Sequence, residues 1–266
     1  HLVVSPVATE KALAARAGSA SCELDVNCYP QWSSAKNSVA RIIFSCGGGY
    51  QCLCTGTLLN TTTNSGIPYF LTANHCMNNQ LMASSIESYW FYYSTACNSA
   101  QLNPSYVALP GGGTLLYNST STDAAFVQLK GPVPAGVTFS GWTNAAPNLG
   151  QASTGLHNPK GDLQKISFGA IDSFQNCSSS GSSTFSCRTG TQNNSNFVNA
   201  LFGQGVTEEG SSGSGLFLNN GQLIGQLYGG DSSCSNPSGS NVYGRFDQTF
   251  AQGNLAQWLA PVGSQT

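Results

Sequence analysis

The sequence predicts an all-β fold, either one large β unit or two small barrels that share a cleft. Three observations carry that prediction. The 266 residues are 40% hydrophobic but only 8% charged, so apolar matter for a sizeable core is present while the charge pairs of surface helices are scarce. The 31 glycines, together with many Ser, Thr and Asn, break the chain at short intervals. Between these breaks lie apolar runs of strand length, and no segment repeats another.

The chain opens on a different texture. Residues 9–17 form the one good helical run near the start, with Thr9 as N-cap, and the small-residue joint Gly18-Ser19-Ala20-Ser21 follows. Residues 1–20 therefore read as an N-terminal arm or the remnant of a pro-segment, ahead of a main domain at 21–261. Strands are expected at 39–44, 55–60, 69–73, 89–93, 107–109, 114–117 and 124–129, with a loop at 46–52 whose two end cysteines a disulfide can tie. Gly131-Pro132-Val133-Pro134-Ala135-Gly136 then interrupts the pattern and divides a first half, about 36–130, from a second, about 137–250. Further strands are expected at 155–157, 166–171 and 197–202, and at 216–218 and 223–228 around an Asn219-Asn220-Gly221 turn. A Ser-rich loop runs from Cys177 to Cys187. A short amphipathic helix at about 254–260 ends at Pro261.

A net charge of −2, with neither a basic run nor an acidic tail, argues against nucleic acid and anionic membrane surfaces as partners. No stretch approaches the roughly 20 apolar residues that cross a bilayer. The ten cysteines lack the spaced Cys/His sets of a zinc site; Cys52-x-Cys54 comes nearest, and no second pair answers it. Disulfides are the expected use, which implies an oxidising compartment and a secreted protein without metal or organic cofactor. Residues 1–7 are too short and uncharged for a signal peptide, so the chain reads as already processed.

The stretch Glu208-Glu209-Gly210-Ser211-Ser212-Gly213-Ser214-Gly215 is poor helix and poor strand. It is followed at once by a hairpin, so it forms a turn at the hairpin mouth that can present Ser212 Oγ and aim the N–H groups of Gly210 and Ser212 at one point. A hydroxyl needs a base. Of three histidines, His1 is terminal and His157 lies in a turn where a structural hydrogen bond is the simpler role. His75 closes an apolar strand at a small-residue turn beside Cys76, where a disulfide would hold the ring's backbone. An imidazole in turn needs an orienting carboxylate. Among six aspartates, Asp123 alone starts an apolar strand, where an unpartnered charge is costly.

Leu71-Thr72-Ala73-Asn74-His75-Cys76, Asp123 before an apolar strand, and Gly210-Ser211-Ser212-Gly213-Ser214 stand in the His, Asp, Ser order and resemble the trypsin/chymotrypsin family. Within it the chain is similar to the bacterial lysyl endopeptidases from about residue 19 to 261, notably at 21–28, 54–60, 206–214 and 225–230 with Cys234. The resemblance implies two six-stranded antiparallel barrels with the site in the cleft between them, and an extracellular monomer that cuts polypeptides. It makes Ser212 the nucleophile, His75 the base and then acid, Asp123 the orienting group, and Gly210 and Ser212 the oxyanion donors. It pairs Cys22 with Cys234, Cys28 with Cys97 and Cys54 with Cys76, leaving Cys46 with Cys52 and Cys177 with Cys187. The specificity pocket falls to Val206, Thr207, Tyr228, Gly229, Gly230 and the segment Ser240-Asn241-Val242-Tyr243-Gly244-Arg245.

Two departures matter. Ser211 stands where animal trypsins carry the Asp that traps a new N-terminal ammonium, so that route to activation is closed. Asn241 stands where lysyl endopeptidases carry the Asp that binds the substrate lysine. A neutral amide cannot replace a carboxylate facing an ammonium, so the pocket suits an uncharged or modestly polar side chain. Asp231, on the loop expected to edge the pocket, could restore some attraction for a basic side chain, although a loop-edge Asp is more often solvated. Two other readings stay open at this stage: a binding protein on the same fold, and a hydrolase restricted to esters or cell-wall peptides.

Overall fold

The computed structural model describes residues 2–4, 18–180 and 184–261, with backbone alone at 2–4. The helical run expected at 9–17 lies outside the described residues. In chain order the strands are β1 (Leu2–Val4), β2 (Leu24–Asp25), β3 (Val39–Gly47), β4 (Tyr50–Leu59), β5 (Tyr69–Ala73), β6 (Glu87–Trp90), β7 (Val107–Pro110), β8 (Gly113–Ser119) and β9 (Ala124–Leu129). After a crossing segment without strands come β10 (Ala152–His157), β11 (Lys165–Ser179), β12 (Phe185–Thr189), β13 (Phe197–Gln204), β14 (Gly215–Leu218), β15 (Leu223–Gly230) and β16 (Asn241–Arg245). Among the described residues four short α-helices accompany them: α1 (Ser33–Lys36), α2 (Gln80–Ser84), α3 (Phe246–Gln252) and α4 (Ala256–Leu259).

Strands β10, β14, β15, β16, β13 and β11 form one antiparallel sheet, and β11 pairs back onto β10, which closes a six-stranded barrel. The first half runs β7-β6-β3-β4-β5-β9-β8, with β1 added antiparallel to β4 at Gln51, Cys52 and Leu53. It holds the seven runs read from the sequence, and with β1 the sheet counts eight strands among the described residues, two more than the resemblance implies. Its two edge strands are joined by the Gly111-Gly112 corner, where Gly112 N–H donates to Ile86 C=O at 3.0 Å.

The apolar runs of β5 and β9 are buried on both faces because each face has its own core. Alternation sends Phe70, Ala125 and Val127 into the first sheet's interior, while Tyr69, Leu71 and Phe126 face the second half. There they meet Leu156, Ile166, Phe217 and Leu223, with Phe246, Leu255 and Leu259 from the C-terminal helices. The second barrel has a separate core around Phe174, Phe202, Leu227 and Tyr243. The two halves are thus joined by a continuous apolar layer, which holds any site that spans them in one geometry.

All ten cysteines are paired as the resemblance implies: Cys22–Cys234, Cys28–Cys97, Cys46–Cys52, Cys54–Cys76 and Cys177–Cys187. The strands β1, β2, β12 and β16 and the helices α1, α2 and α3 were not expected from sequence, and three of them bear on the site or the core. β12 lies in the Ser-rich segment and pairs with the outer end of β11, where alternation is masked by polar residues on an exposed hairpin. β16 begins with Asn241 and ends with Arg245, polar residues that are nevertheless buried. α3 precedes the helix read near 254–260, whose core is α4.

Arg245 explains how a charge sits inside β16. Its Nε and Nη2 donate to the two carboxylate oxygens of Asp247 at 3.0 and 2.6 Å, and Nη1 donates to the carbonyls of Gln192 and Ser195. Arg245→Met leaves a buried carboxylate and two carbonyls without donors and is expected to destabilise the fold by about 3–5 kcal/mol. A lower urea midpoint at unchanged slope checks this.

Candidate active site

Strand register brings His75 and Asp123 together. β5 and β9 pair antiparallel with Ala73 opposite Ala124, so the residue two after β5's end meets the residue just before β9. Asp123 is buried and holds a φ of +51°, a left-handed conformation that a non-glycine residue adopts at a cost of order 1–3 kcal/mol. In that conformation its Oδ1 accepts from the His75 backbone N–H at 2.8 Å and its Oδ2 accepts from His75 Nδ1–H at 2.7 Å. Asp123 C=O also accepts from Asn74 N–H at 2.8 Å. An ionised carboxylate only accepts, so the ring proton is on Nδ1 and Nε2 is left as the basic nitrogen.

The Ser212 turn is attached to the same place from the other half. Thr55 N–H donates to Ser212 C=O at 2.8 Å, Thr55 Oγ1 donates to Gly210 C=O at 3.0 Å, and Thr55 Oγ1 accepts from Asn158 N–H at 3.1 Å. Thr55 adjoins Cys54 and His75 adjoins Cys76, and those two cysteines form a disulfide. The hydroxyl residue and the imidazole residue are therefore each tied within one residue of the same covalent crosslink. Gly213 is forced into contact with β5: at φ +81°, a Cβ there would lie 2.2 Å from Thr72 Oγ1.

The direction of two peptide N–H groups follows from what their carbonyl partners hold, because C=O and N–H of a trans peptide point opposite ways. Glu209 C=O accepts from Lys160 N–H at 2.6 Å, which turns Gly210 N–H away from Lys160. Ser211 C=O accepts from Ser214 N–H at 3.0 Å, which orients Ser212 N–H in the same manner. Gly210 has φ +88°, and a Cβ there would meet Lys160 N at 3.0 Å, so this close approach needs glycine.

Around this centre stands an aromatic wall. Tyr228 has its ring centroid 5.8 Å from that of His75, 4.3 Å from that of Phe185 and 5.3 Å from that of Phe197. Burial, and after it the Asp123 charge, pushes the Tyr228 hydroxyl up from its ordinary range, so it stays protonated beside the imidazole. Phe185 also lies against Gly229, where a Cβ would be 2.9 Å from its ring. Phe185 was not singled out from the sequence; its signal was an aromatic residue two positions before a cysteine in an otherwise polar loop.

The residues assigned to a pocket split into two groups. Asn241 is fully buried; its Oδ1 accepts from Thr207 Oγ1 at 2.7 Å and Ser232 Oγ at 2.6 Å, and its Nδ2 donates to Ala200 C=O at 3.2 Å. Val206 is buried beside Thr207, and its carbonyl accepts from Ser167 Oγ. Gly230 pairs with Asn241 across β15 and β16. Asp231 is not part of this cluster: it is exposed, and its carboxylate accepts the N–H and O–H of Ser240, both at 2.6 Å. Those bonds, the hydroxyl's first, hold Asp231 below its ordinary carboxylate range.

Below the turn lies a second group of polar residues. Lys160 Nζ pairs with Glu208 Oε1 at 2.7 Å, Ala20 N–H donates to Glu208 Oε2 at 2.8 Å, and Ser19 N–H and Oγ–H both reach Asp162 Oδ2. Glu23 is buried with neither carboxyl oxygen hydrogen-bonded. Burial first, and then the Glu208 charge, raises its carboxyl well above the ordinary value. A carboxyl raised in the fold stabilises below its unfolded value and loses that contribution as pH rises. Glu23→Gln is therefore expected to match wild type near pH 4 and to be the more stable above it, by up to about 1.4 kcal/mol for each pH unit that Glu23 would have stayed protonated. Urea unfolding from pH 4 to 9 measures the difference.

Comparison with known proteins shows the family and the fold. The family described as lysyl endopeptidase, C-terminal domain, matches residues 17–244. A curated lysyl endopeptidase of Pseudomonas aeruginosa is 32% identical over 259 residues, covering 91% of this chain and 52% of its own length, so the chain spans about half of that relative. Two solved structures share the fold. The Rv3671c protease of M. tuberculosis in its active form has TM-score 0.54 at 16% identity, covering 92% of this chain and 89% of that one. The serine endoprotease from Yersinia pestis has TM-score 0.54 at 16% identity, covering 86% and 66%. By its sequence match across most of its length, the chain belongs to the lysyl endopeptidase family.

Proposed function

We propose that residues 21–261 form a secreted serine endopeptidase that hydrolyses polypeptides through an acyl-enzyme on Ser212. One observation carries this reading most: Asp123 fixes the His75 ring with a proton on Nδ1, at the point where the Ser212 turn is bound to the first sheet through Thr55. In the proposed reaction His75 Nε2 takes the Ser212 proton as Oγ attacks the scissile carbonyl, and returns it to the leaving amine. Asp123 offsets the imidazolium charge. The N–H groups of Gly210 and Ser212 receive the oxyanion, where one donor is worth about 2.7–4 kcal/mol of the barrier. Water then enters by the same base and releases the acyl group. The five disulfides favour an extracellular setting.

The pocket is neutral in this reading, unlike the preference in the relative's name. Asn241 presents an amide whose oxygen is already engaged by two hydroxyls, and Asp231 is occupied by Ser240. A lysine ammonium entering there would lose water without gaining a carboxylate. Cleavage after uncharged or modestly polar residues follows.

A fluorophosphonate probe is expected to label wild type at Ser212 and to leave Ser212→Ala unlabelled; an unlabelled folded wild type would point to a binding protein instead. Gly213→Ala is expected to lower kcat/KM by about 100-fold or more, since displacing a reacting group by about 1 Å costs that much. Mass spectrometry of fragments from a mixed protein digest is expected to show cleavage after neutral residues. Asn241→Asp, whose new carboxylate keeps the Thr207 and Ser232 donors, is expected to move preference toward lysine and arginine by about 10- to 100-fold, equivalent to about 1.5–3 kcal/mol for a charged hydrogen bond. Predominant cleavage after lysine by wild type would overturn the neutral pocket.

A further inference from the structure

One buried imidazole has no place in the reaction above. His157 is wholly inaccessible and stands beneath the turn that carries Ser212. Its Nδ1 is 2.8 Å from Ser211 Oγ and its Nε2 is 3.1 Å from Ser167 Oγ. Only one arrangement of protons satisfies all its neighbours. Ser167 Oγ donates to Val206 C=O at 2.8 Å, so it accepts from the ring, and Nε2 carries the hydrogen. Ser211 Oγ accepts from Glu208 N–H at 3.3 Å and spends its own proton on Nδ1. A single line of hydrogen bonds thus runs from the Glu208 N–H, through Ser211, the imidazole and Ser167, to the Val206 carbonyl. It crosslinks both ends of the segment that leads into the nucleophile.

We propose that His157, acting through Ser211, is the positioning residue that sets the oxyanion site of this chain, in place of a charge pair at the residue before the nucleophile. The inference rests on the reading of Ser212 as nucleophile. His157 leads directly into the turn Asn158-Pro159-Lys160, whose Lys160 N–H holds Glu209 C=O and so aims Gly210 N–H. The Ser211 bond adds a second tie between that turn and the 208–211 segment, beside the Lys160 N–H to Glu209 C=O bond, and its loss loosens the peptide between Glu209 and Gly210.

The device is uncharged, which distinguishes it from an ammonium–carboxylate lock. The charged groups that act on it are Glu23, whose Oε2 is 3.7 Å from Nε2, and Lys165, while Glu23 in turn feels Glu208, Lys165, Asp162 and Lys160. Burial, and after it the Lys165 charge, lowers the imidazole to about 3, so the line keeps its proton order across the neutral and alkaline range.

The test separates hydrogen bonding from packing. An asparagine side chain places an oxygen near Nδ1, and a glutamine reaches toward Nε2. His157→Asn is therefore expected to keep the Ser211 bond and to retain kcat within about 10-fold. His157→Gln and Ser211→Ala are expected to lose kcat by about 100- to 1,000-fold, the cost of one oxyanion donor, with KM changed less than about 3-fold. The affinity of a peptide aldehyde, whose hemiacetal oxygen occupies the oxyanion position, should fall in step with kcat. Wild-type kcat in Ser211→Ala, or equal losses in His157→Asn and His157→Gln that track their melting temperatures, would overturn the proposal. Wild type that takes up no fluorophosphonate would overturn instead the reading of Ser212, which this proposal presupposes.

Discussion

The structure hangs on one buried threonine. Thr55 joins the two halves through its N–H and its hydroxyl, which hold the carbonyls of Ser212 and Gly210 while the hydroxyl takes the Asn158 N–H; its own carbonyl accepts from Thr72 Oγ1 at 2.8 Å, inside the first sheet. The residue is fully buried, so these bonds form away from competing water. Around it the shared apolar layer resists any sliding of one half on the other, and the Cys54–Cys76 disulfide fixes the neighbouring backbone. A turn made of small residues has little rigidity of its own. Here it borrows rigidity from β4 and β5.

The same economy governs the smaller parts. Asp123 tolerates an unfavourable φ because three groups on Asn74 and His75 converge on it. Gly210 and Gly213 accept positive φ where the turn must approach Lys160 and Thr72 closely. These three departures from ordinary backbone geometry stand where His75 and the Ser212 turn come together, and each is held by its hydrogen bonds or close contacts.

Polar residues inside this protein are mostly neutral and hydrogen-bonded in lines. Asn241 with Thr207 and Ser232 forms one such line, and His157 with Ser211 and Ser167 forms another. Both run through the segment 206–211, one toward Gly230 and one toward Ser212. A chain with only 8% charged residues has few ion pairs to organise a site, and hydroxyls and amides take over that work. The buried pair Arg245–Asp247 is an exception and holds a loop, not the site.

Much of the fold was legible because burial on both faces leaves continuous apolar runs, and the strands of the first half stand where those runs lie. Among the strands missed, β12 and β16 carry polar residues whose burial or exposure depends on partners far away in sequence. By itself the sequence determined which residues can do chemistry: a hydroxyl in a glycine-rich turn, an imidazole after an apolar strand, a lone acid before another. Those are local properties of composition and period. Only the tertiary structure decided that Ala73 faces Ala124, that Thr55 grips the Ser212 turn, and that His157 lies under Ser211, because hydrogen bonds between residues 48 to 157 positions apart are set by strand register and sheet packing, which no local pattern encodes.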